Sequence, residues 1–258
     1  MEQTQAYDDK LVALLEALWG DGFLSPGGTD EVALVLSGLA LGGKRILDIG
    51  CGTGGCARFI AEQYSPREIV GIDVEATVVA RATELAAAAG LGHVATFVAV
   101  TPGPLPFADA AFDVVFSKDS LLHIADKRAL AVEIHRVLRP GGVFAASDWM
   151  AGSDGPGSAA LHRYEELEGL GFGLASPDTY FAALRAAGFG HITYLDRTAW
   201  LRDRTHSELA ELRGPMQQRL LGEVGADFLA HEIEVWKALC AVLDTAELVA
   251  GHWRAVKA

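Results

Sequence analysis

The chain has 258 residues, half of them hydrophobic, with 21 Lys and Arg against 34 Asp and Glu for a formal net charge of −13. That length suits one elaborated domain with a substantial core rather than two ordinary domains. The acidic balance argues against nucleic acid or an anionic membrane surface as partner, because both recruit Lys and Arg, and no run of about 18 apolar residues marks a membrane span.

In chain order, Met1-Glu2-Gln3-Thr4-Gln5 is polar and lacks the basic start of a secretory signal, so a cytoplasmic protein is expected. Leu11, Val12, Leu14, Leu15, Leu18 and Trp19 recur at helical spacing over residues 8–19, and the loop Gly20–Gly28 ends that helix. A second helix is expected over Thr29–Leu39. Arg45-Ile46-Leu47-Asp48-Ile49 reads as a strand and a helix follows to Tyr64. Ile69–Val74 is the next strand, Glu75–Ala89 an alanine-rich helix, Ala95–Val100 the third strand and Thr101–Pro106 a proline-rich loop. Phe112–Ser117 is the fourth strand, Lys127–Leu138 a helix and Val143–Ser147 the fifth strand. Ser176-Pro177-Asp178 caps a helix that runs to about Ala187. Ile192–Thr198 is the sixth strand, residues 201–247 are mostly helical, and Gly251–Val256 closes the chain as the seventh. Strands alternating with helices imply a parallel sheet with right-handed crossovers, an α/β fold.

The richest stretch is Asp48-Ile49-Gly50-Cys51-Gly52-Thr53-Gly54-Gly55. A buried strand stops in a glycine-rich turn and enters a helix, which at the C-terminal end of a parallel strand makes a nucleoside-binding crevice. Asp73 ends the next strand about 20 positions on, where a carboxylate accepts the ribose hydroxyls. Gly50-x-Gly52-x-x-Gly55 alone also fits a dinucleotide site, which would make the protein a NAD-type oxidoreductase. Cys51 reads as a small residue facing the ligand rather than a nucleophile. Cys51, Cys56 and Cys240 form no CxxC pair or even disulfide set, and no His and Cys spacing reads as a metal site.

Leu47-Asp48-Ile49-Gly50-Cys51-Gly52-Thr53-Gly54 resembles motif I of the class I methyltransferases that use S-adenosylmethionine. Phe112–Ser117 and Leu138-Arg139-Pro140-Gly141-Gly142 resemble later segments of that family, in the same order. The resemblance implies a Rossmann-like, seven-stranded, mostly parallel sheet with helices on both faces, an antiparallel last strand and a helical lid. Residues 1–40 would be a helical cap and residues 41–258 the methyltransferase domain, with a helical insertion at about 201–247. It also implies S-adenosylmethionine as cofactor and S-adenosylhomocysteine as its product. Asp48, Gly50, Cys51, Gly52, Gly54, Asp73, Val74, Thr101 and Pro102 are the expected cofactor contacts. Thr101 stands where an acidic residue often holds the adenine.

Further motifs narrow the resemblance. Tyr7, Gly20-x-x-Phe23-Leu24-Ser25-x-Gly27-Gly28, Ser117-Lys118-Asp119-x-x-Leu122-His123, Ser147-Asp148-Trp149 and Gly251-His252-Trp253-Arg254 look like phosphoethanolamine N-methyltransferases. The resemblance implies a catalytic pair of Tyr7 and His123, with Ser25, Ser117 and Lys118 near the cofactor. His123 has the titration range of a general base. Asp119, four residues earlier, is expected to orient His123 or to bind a substrate cation. The family's phosphate-binding Arg and Lys are missing from Tyr164–Phe172 and from Leu239–Val242. Trp19, Trp149, Tyr164, Phe172, Tyr180 and Trp200 are candidates for the substrate pocket that replaces them, and with carboxylates they suit an amine. The expected function is methyl transfer to a small molecule, on an amine nitrogen or else on carbon or oxygen of an aromatic metabolite. A non-catalytic cofactor-binding protein is the remaining alternative. Oligomeric state is not encoded in these patterns.

Overall fold

The structure, a computed structural model, describes residues 7–258; the polar stretch Met1–Gln5 lies outside the described residues. Seven strands, β1 (Arg45–Ile49), β2 (Glu68–Asp73), β3 (Ala95–Ala99), β4 (Phe112–Lys118), β5 (Leu138–Ala151), β6 (Phe189–Asp196) and β7 (Leu248–Lys257), form one sheet. Their order is β3-β2-β1-β4-β5-β7-β6. β1 to β5 pair in parallel, and β7 runs antiparallel to both β5 and β6. β1 lies between β2 and β4, where the winding reverses direction, so the crevice opens at its C-terminal end.

Each inner strand is covered on both faces, which is why β1 reads as a continuous apolar run. Ile46 packs toward α2 (Gly28–Leu36) and α3 (Gly55–Tyr64). Leu47 and Ile49 point the other way, toward α5 (Lys127–Val137) and α7 (Pro177–Ala186). α4 (Ala76–Ala88) covers β2 and β3. A third apolar cluster lies between the outer helices and the end of the sheet, against Leu248 and Ala250 of β7. It joins Leu14 and Leu18 of α1 (Asp9–Trp19), Tyr164 of α6 (Ala159–Glu168), Leu212 of α8 (Thr198–Arg213), Leu220 of α9 (Gln217–Glu223) and Trp236 of α10 (Ala226–Asp244).

The sequence alone did not reveal α6. Its apolar stripe is short, Leu161 and Tyr164, and its clearest local signal is Ser158, whose hydroxyl caps the helix by accepting from Ala160 and Leu161. β5 is longer than expected at both ends: it starts at Leu138 because Arg139-Pro140-Gly141-Gly142 is absorbed as a register shift against Phe112 and Val114 of β4, and it runs to Ala151 by pairing with β7. β6 stops at Asp196, whose carboxylate accepts from the Thr198 amide at 2.8 Å and starts α8 there. Among the described residues no helix is long and apolar enough to cross a membrane.

Candidate active site

The glycine turn folds as its sequence demands. Gly50 has φ +74°, and a Cβ there would lie 1.7 Å from the Ser120 hydroxyl. Gly50 and Cys51 both donate to the Ile72 carbonyl, tying the turn to β2. Asp73 accepts from the Gly52 amide at 3.0 Å and the Glu75 amide at 3.1 Å, which fixes its carboxylate beside the loop. Asp48 is buried, and burial, with Asp73 nearby, raises its pKa to about 7. Its Oδ2 and the Thr53 hydroxyl are buried without a hydrogen-bond partner. A nucleoside carrying an ammonium group fits this donor set: Asp48 would meet the cation and Asp73 the ribose hydroxyls. Sequence reading passed over Thr53, although it lies inside the motif. Val74, Thr101 and Pro102 are exposed at the ends of β2 and β3, open to a flat base. Cys51 is buried and its thiol pKa is pushed well up by burial, so it stays a neutral thiol.

Two expected cofactor contacts hold the protein to itself instead. The Lys118 ammonium donates to the Ser25 hydroxyl at 2.5 Å, the Pro26 carbonyl at 2.8 Å and Asp119 Oδ2 at 2.7 Å. All three of its hydrogens are thereby committed, leaving none for a ligand. Lys118 is a clasp that pins the loop after α1 onto the end of β4. Ser117, buried beside it, gives its hydroxyl to the Ile49 carbonyl.

His123 ends a 3-10 turn, Leu121–His123, that follows β4. Its Nδ1 lies 3.0 Å from the Gly171 carbonyl. A carbonyl only accepts, so Nδ1 carries the hydrogen and Nε2 keeps the basic lone pair. Desolvation by the surrounding protein lowers its pKa, with Lys127 adding to the effect and the Gly171 bond opposing it. Asp119 does not orient this ring. Its backbone is left-handed, with φ +51°, and its carboxylate is taken by Lys118 and by the Ser147 hydroxyl at 2.8 Å. The turn is held instead by Lys127, whose ammonium donates to the Leu121 and Ile124 carbonyls at 2.7 and 2.5 Å. Lys127 was not singled out in the sequence, and Asp148 stood there only as part of the Ser147-Asp148-Trp149 motif, without a role. Burial pushes the Asp148 carboxyl up and the Lys127 ammonium down.

A cavity enclosing roughly 690 Å³, its open mouth included, lies beside this turn. Tyr7, Ser25, Asp119, His123, Trp19, Trp149, Tyr164 and Phe172 all line it, so most of the predicted acceptor residues converge. The Phe172 ring lies 5.5 Å from His123 on one side and is stacked at 5.5 Å on Tyr164 on the other. Burial pushes the Tyr7 hydroxyl well above the usual tyrosine range, with Glu168 adding to the effect. Tyr180 and Trp200 lie elsewhere. Tyr180 sits in the core beneath α7, its hydroxyl donating to Asp148 at 2.5 Å. Trp200 stacks against the Arg197 guanidinium at 4.6 Å. Among the described residues the cavity walls carry no Arg or Lys, and they bring in three glutamates the sequence did not single out, Glu168, Glu208 and Glu232.

A family model described as a methyltransferase domain matches residues 47–146. Phosphoethanolamine N-methyltransferase 1 of Zea mays is 30% identical over 224 residues, 86% of this chain and 43% of that protein. The chain thus spans less than half the length of that relative. The O-methyltransferase resE of Aspergillus sclerotiorum is 33% identical over 223 residues, 86% of this chain and 81% of that protein. Among solved structures, phosphoethanolamine N-methyltransferase 2 of Haemonchus contortus in complex with S-adenosyl-L-methionine matches with a TM-score of 0.88 at 25% identity, covering 99% of this chain and 58% of that one.

Proposed function

The chain belongs to the class I S-adenosylmethionine-dependent methyltransferases, and from that premise we propose that it methylates a small molecule, with an amine nitrogen as the accepting atom. The observation that carries this reading is the cavity beside β4, where His123 and Tyr7 stand among aromatic walls that bear carboxylates and, among the described residues, no Arg or Lys. Such walls favour a cation and make a phosphate or carboxylate costly to bury.

When bound, S-adenosylmethionine supplies an electrophilic methyl group on a sulfonium. Asp48 and Asp73 would hold its ammonium and ribose, and Val74, Thr101 and Pro102 would border its base. His123, with Nδ1–H fixed on the Gly171 carbonyl, offers Nε2 to take the proton that an ammonium must lose before it can attack. Tyr7, kept protonated by burial, donates a hydrogen bond and closes the cavity mouth against water. Asp119 acts only through Lys118, by holding the loop of Ser25 and Pro26 in place. The unpaired cysteines support a reducing, cytoplasmic compartment.

A second reading, O-methyl transfer to an aromatic hydroxyl, draws on the likeness to resE over 81% of that protein. His123 would serve a phenol in the same way. Incubation with S-adenosylmethionine and a pool of amines, phosphobases and phenols, read by mass spectrometry for a one-methyl gain, separates the two. A methylated amine is expected, with turnover lowered about 10²–10⁴-fold in His123→Ala and also lowered in Tyr7→Phe. Wild-type turnover in both folded variants would overturn the assignment.

A further inference from the structure

The three glutamates of the cavity are not equivalent. Glu208 is fully engaged: it accepts from the indoles of Trp19 and Trp236 at 2.7 and 3.2 Å and from Arg204 at 2.7 Å. Glu168 and Glu232 accept no hydrogen bond and pair with no cation among the described residues, although Glu232 is only 6% exposed. Glu168 comes from α6 and Glu232 from α10, and α10 packs directly against α6. Burial raises their pKa values to about 7 and about 8, and for Glu232 the nearby Glu168 adds to the rise. Two partnerless carboxyls facing one small cavity cost the fold free energy that glutamine or leucine would not. A cation entering the cavity would favour their ionised form and compensate its charge.

The surroundings decide which kind of cation. Tyr7, Tyr164, Phe172, Val235 and Trp236 line the same space, an aromatic and aliphatic wall suited to an organic ammonium. A metal ion needs more hard ligands than two carboxylates, and no group of three or more His, Cys, Asp and Glu is gathered for one among the described residues. An ammonium held by carboxylates keeps its lone pair in an N–H bond and cannot attack a methyl group. The accepting atom must instead lie by His123, on the turn after β4.

We propose that Glu168 and Glu232 anchor a cationic group of the acceptor that is separate from the accepting atom, so that the substrate is an amine with a second cationic centre, such as a linear diamine. The proposal rests on reading this cavity as the acceptor site.

The test is calorimetric titration of the chain, saturated with S-adenosylhomocysteine, with linear diamines of two to six carbons. 1-Aminobutane, phosphoethanolamine and magnesium ion are the comparators. At least one diamine is expected to bind 10-fold or more tighter than each comparator. Glu168→Gln and Glu232→Gln should each weaken it about 10–100-fold while leaving S-adenosylhomocysteine affinity and cooperative unfolding intact. The proposal is overturned if no diamine binds, if both variants bind diamines as wild type does, or if phosphoethanolamine or magnesium binds more tightly. Glutamate-dependent diamine binding without methylation of any amine would sink the proposed activity and keep the anchor. Methylation that is indifferent to both glutamates would keep the activity and sink the anchor.

Discussion

Glu232 and Glu168 are carboxyls whose folded pKa lies above the unfolded one, and the sign of their effect follows from that. The native state keeps a proton that the unfolded chain releases, so their contribution is present at low pH and is lost as pH rises through about 7 and 8. The groups facing Glu232 are Asp8 at the start of α1, Tyr164 and Glu168 of α6, and, around the shared cavity, Tyr7, Glu208 of α8 and His123. Glu232→Gln is therefore expected to raise the melting temperature over wild type more at pH 8.5 than at pH 5.5, measured without ligand. An equal gain at both values would mean that Glu232 is solvated. The lowered pKa of His123 places the acid limb of kcat/KM below the usual histidine value of 6.5, with Lys127 depressing it further and Asp73 opposing. A rate profile whose acid limb sits above that value would argue that another group is the base.

At the scale of elements, the 3-10 turn that carries His123 depends on Lys127. Lys127→Met removes two donors from the Leu121 and Ile124 carbonyls. It should cost about 1–3 kcal/mol, speed hydrogen exchange over residues 121–124 and lower kcat without changing cofactor affinity. The same turn shows where local reasoning stops. Four-residue spacing puts Asp119 and His123 on one face only if the segment is α-helical. The chain instead takes a left-handed step at Asp119 and a 3-10 turn after it, and the carboxylate goes to Lys118. The start of α3 is equally exacting. A Cβ on Gly55 would lie 2.3 Å from the Gly22 carbonyl oxygen, which accepts from the Gly55 amide. Gly55→Ala should push the loop after α1 off the cofactor turn, weakening S-adenosylhomocysteine binding by more than 10-fold in a calorimetric titration.

Across the whole molecule, α1 and the loop that follows lie between the sheet end and the layer of α6, α8, α9 and α10. Their outer attachments are the ion pairs Arg81–Glu16 and Arg58–Asp21, partly exposed and weak. Their inner attachments are the buried Lys118 clasp, the Trp19–Glu208 hydrogen bond and the buried Leu14, Leu15 and Leu18. A lid made of this loop would let the cavity exchange its contents if it parted from the Lys118 clasp while α1 stayed anchored by Leu14, Leu15 and Leu18. S-adenosylhomocysteine is expected to slow hydrogen exchange across residues 7–25, and 0.5 M salt to speed it in the free protein. Unchanged protection in both conditions would count against a moving lid.

Sequence by itself determined what short-range chemistry controls. An apolar strand running into glycines, a carboxylate ending the next strand and alternating periodicities specify the sheet, its crevice and the placement of Asp48, Asp73 and His123. Only the tertiary structure decided which charges face inward. Glu168, Glu208 and Glu232 sit on amphipathic helices where a glutamate ordinarily meets water, and nothing local separates Glu232 from the exposed Glu234. Trp19 and Glu208 are 189 residues apart when they meet, and Lys118 reaches Ser25 across 93. Burial depends on which helices pack together, a property of the whole chain, and so the chemical character of the acceptor cavity emerged only once the fold was complete.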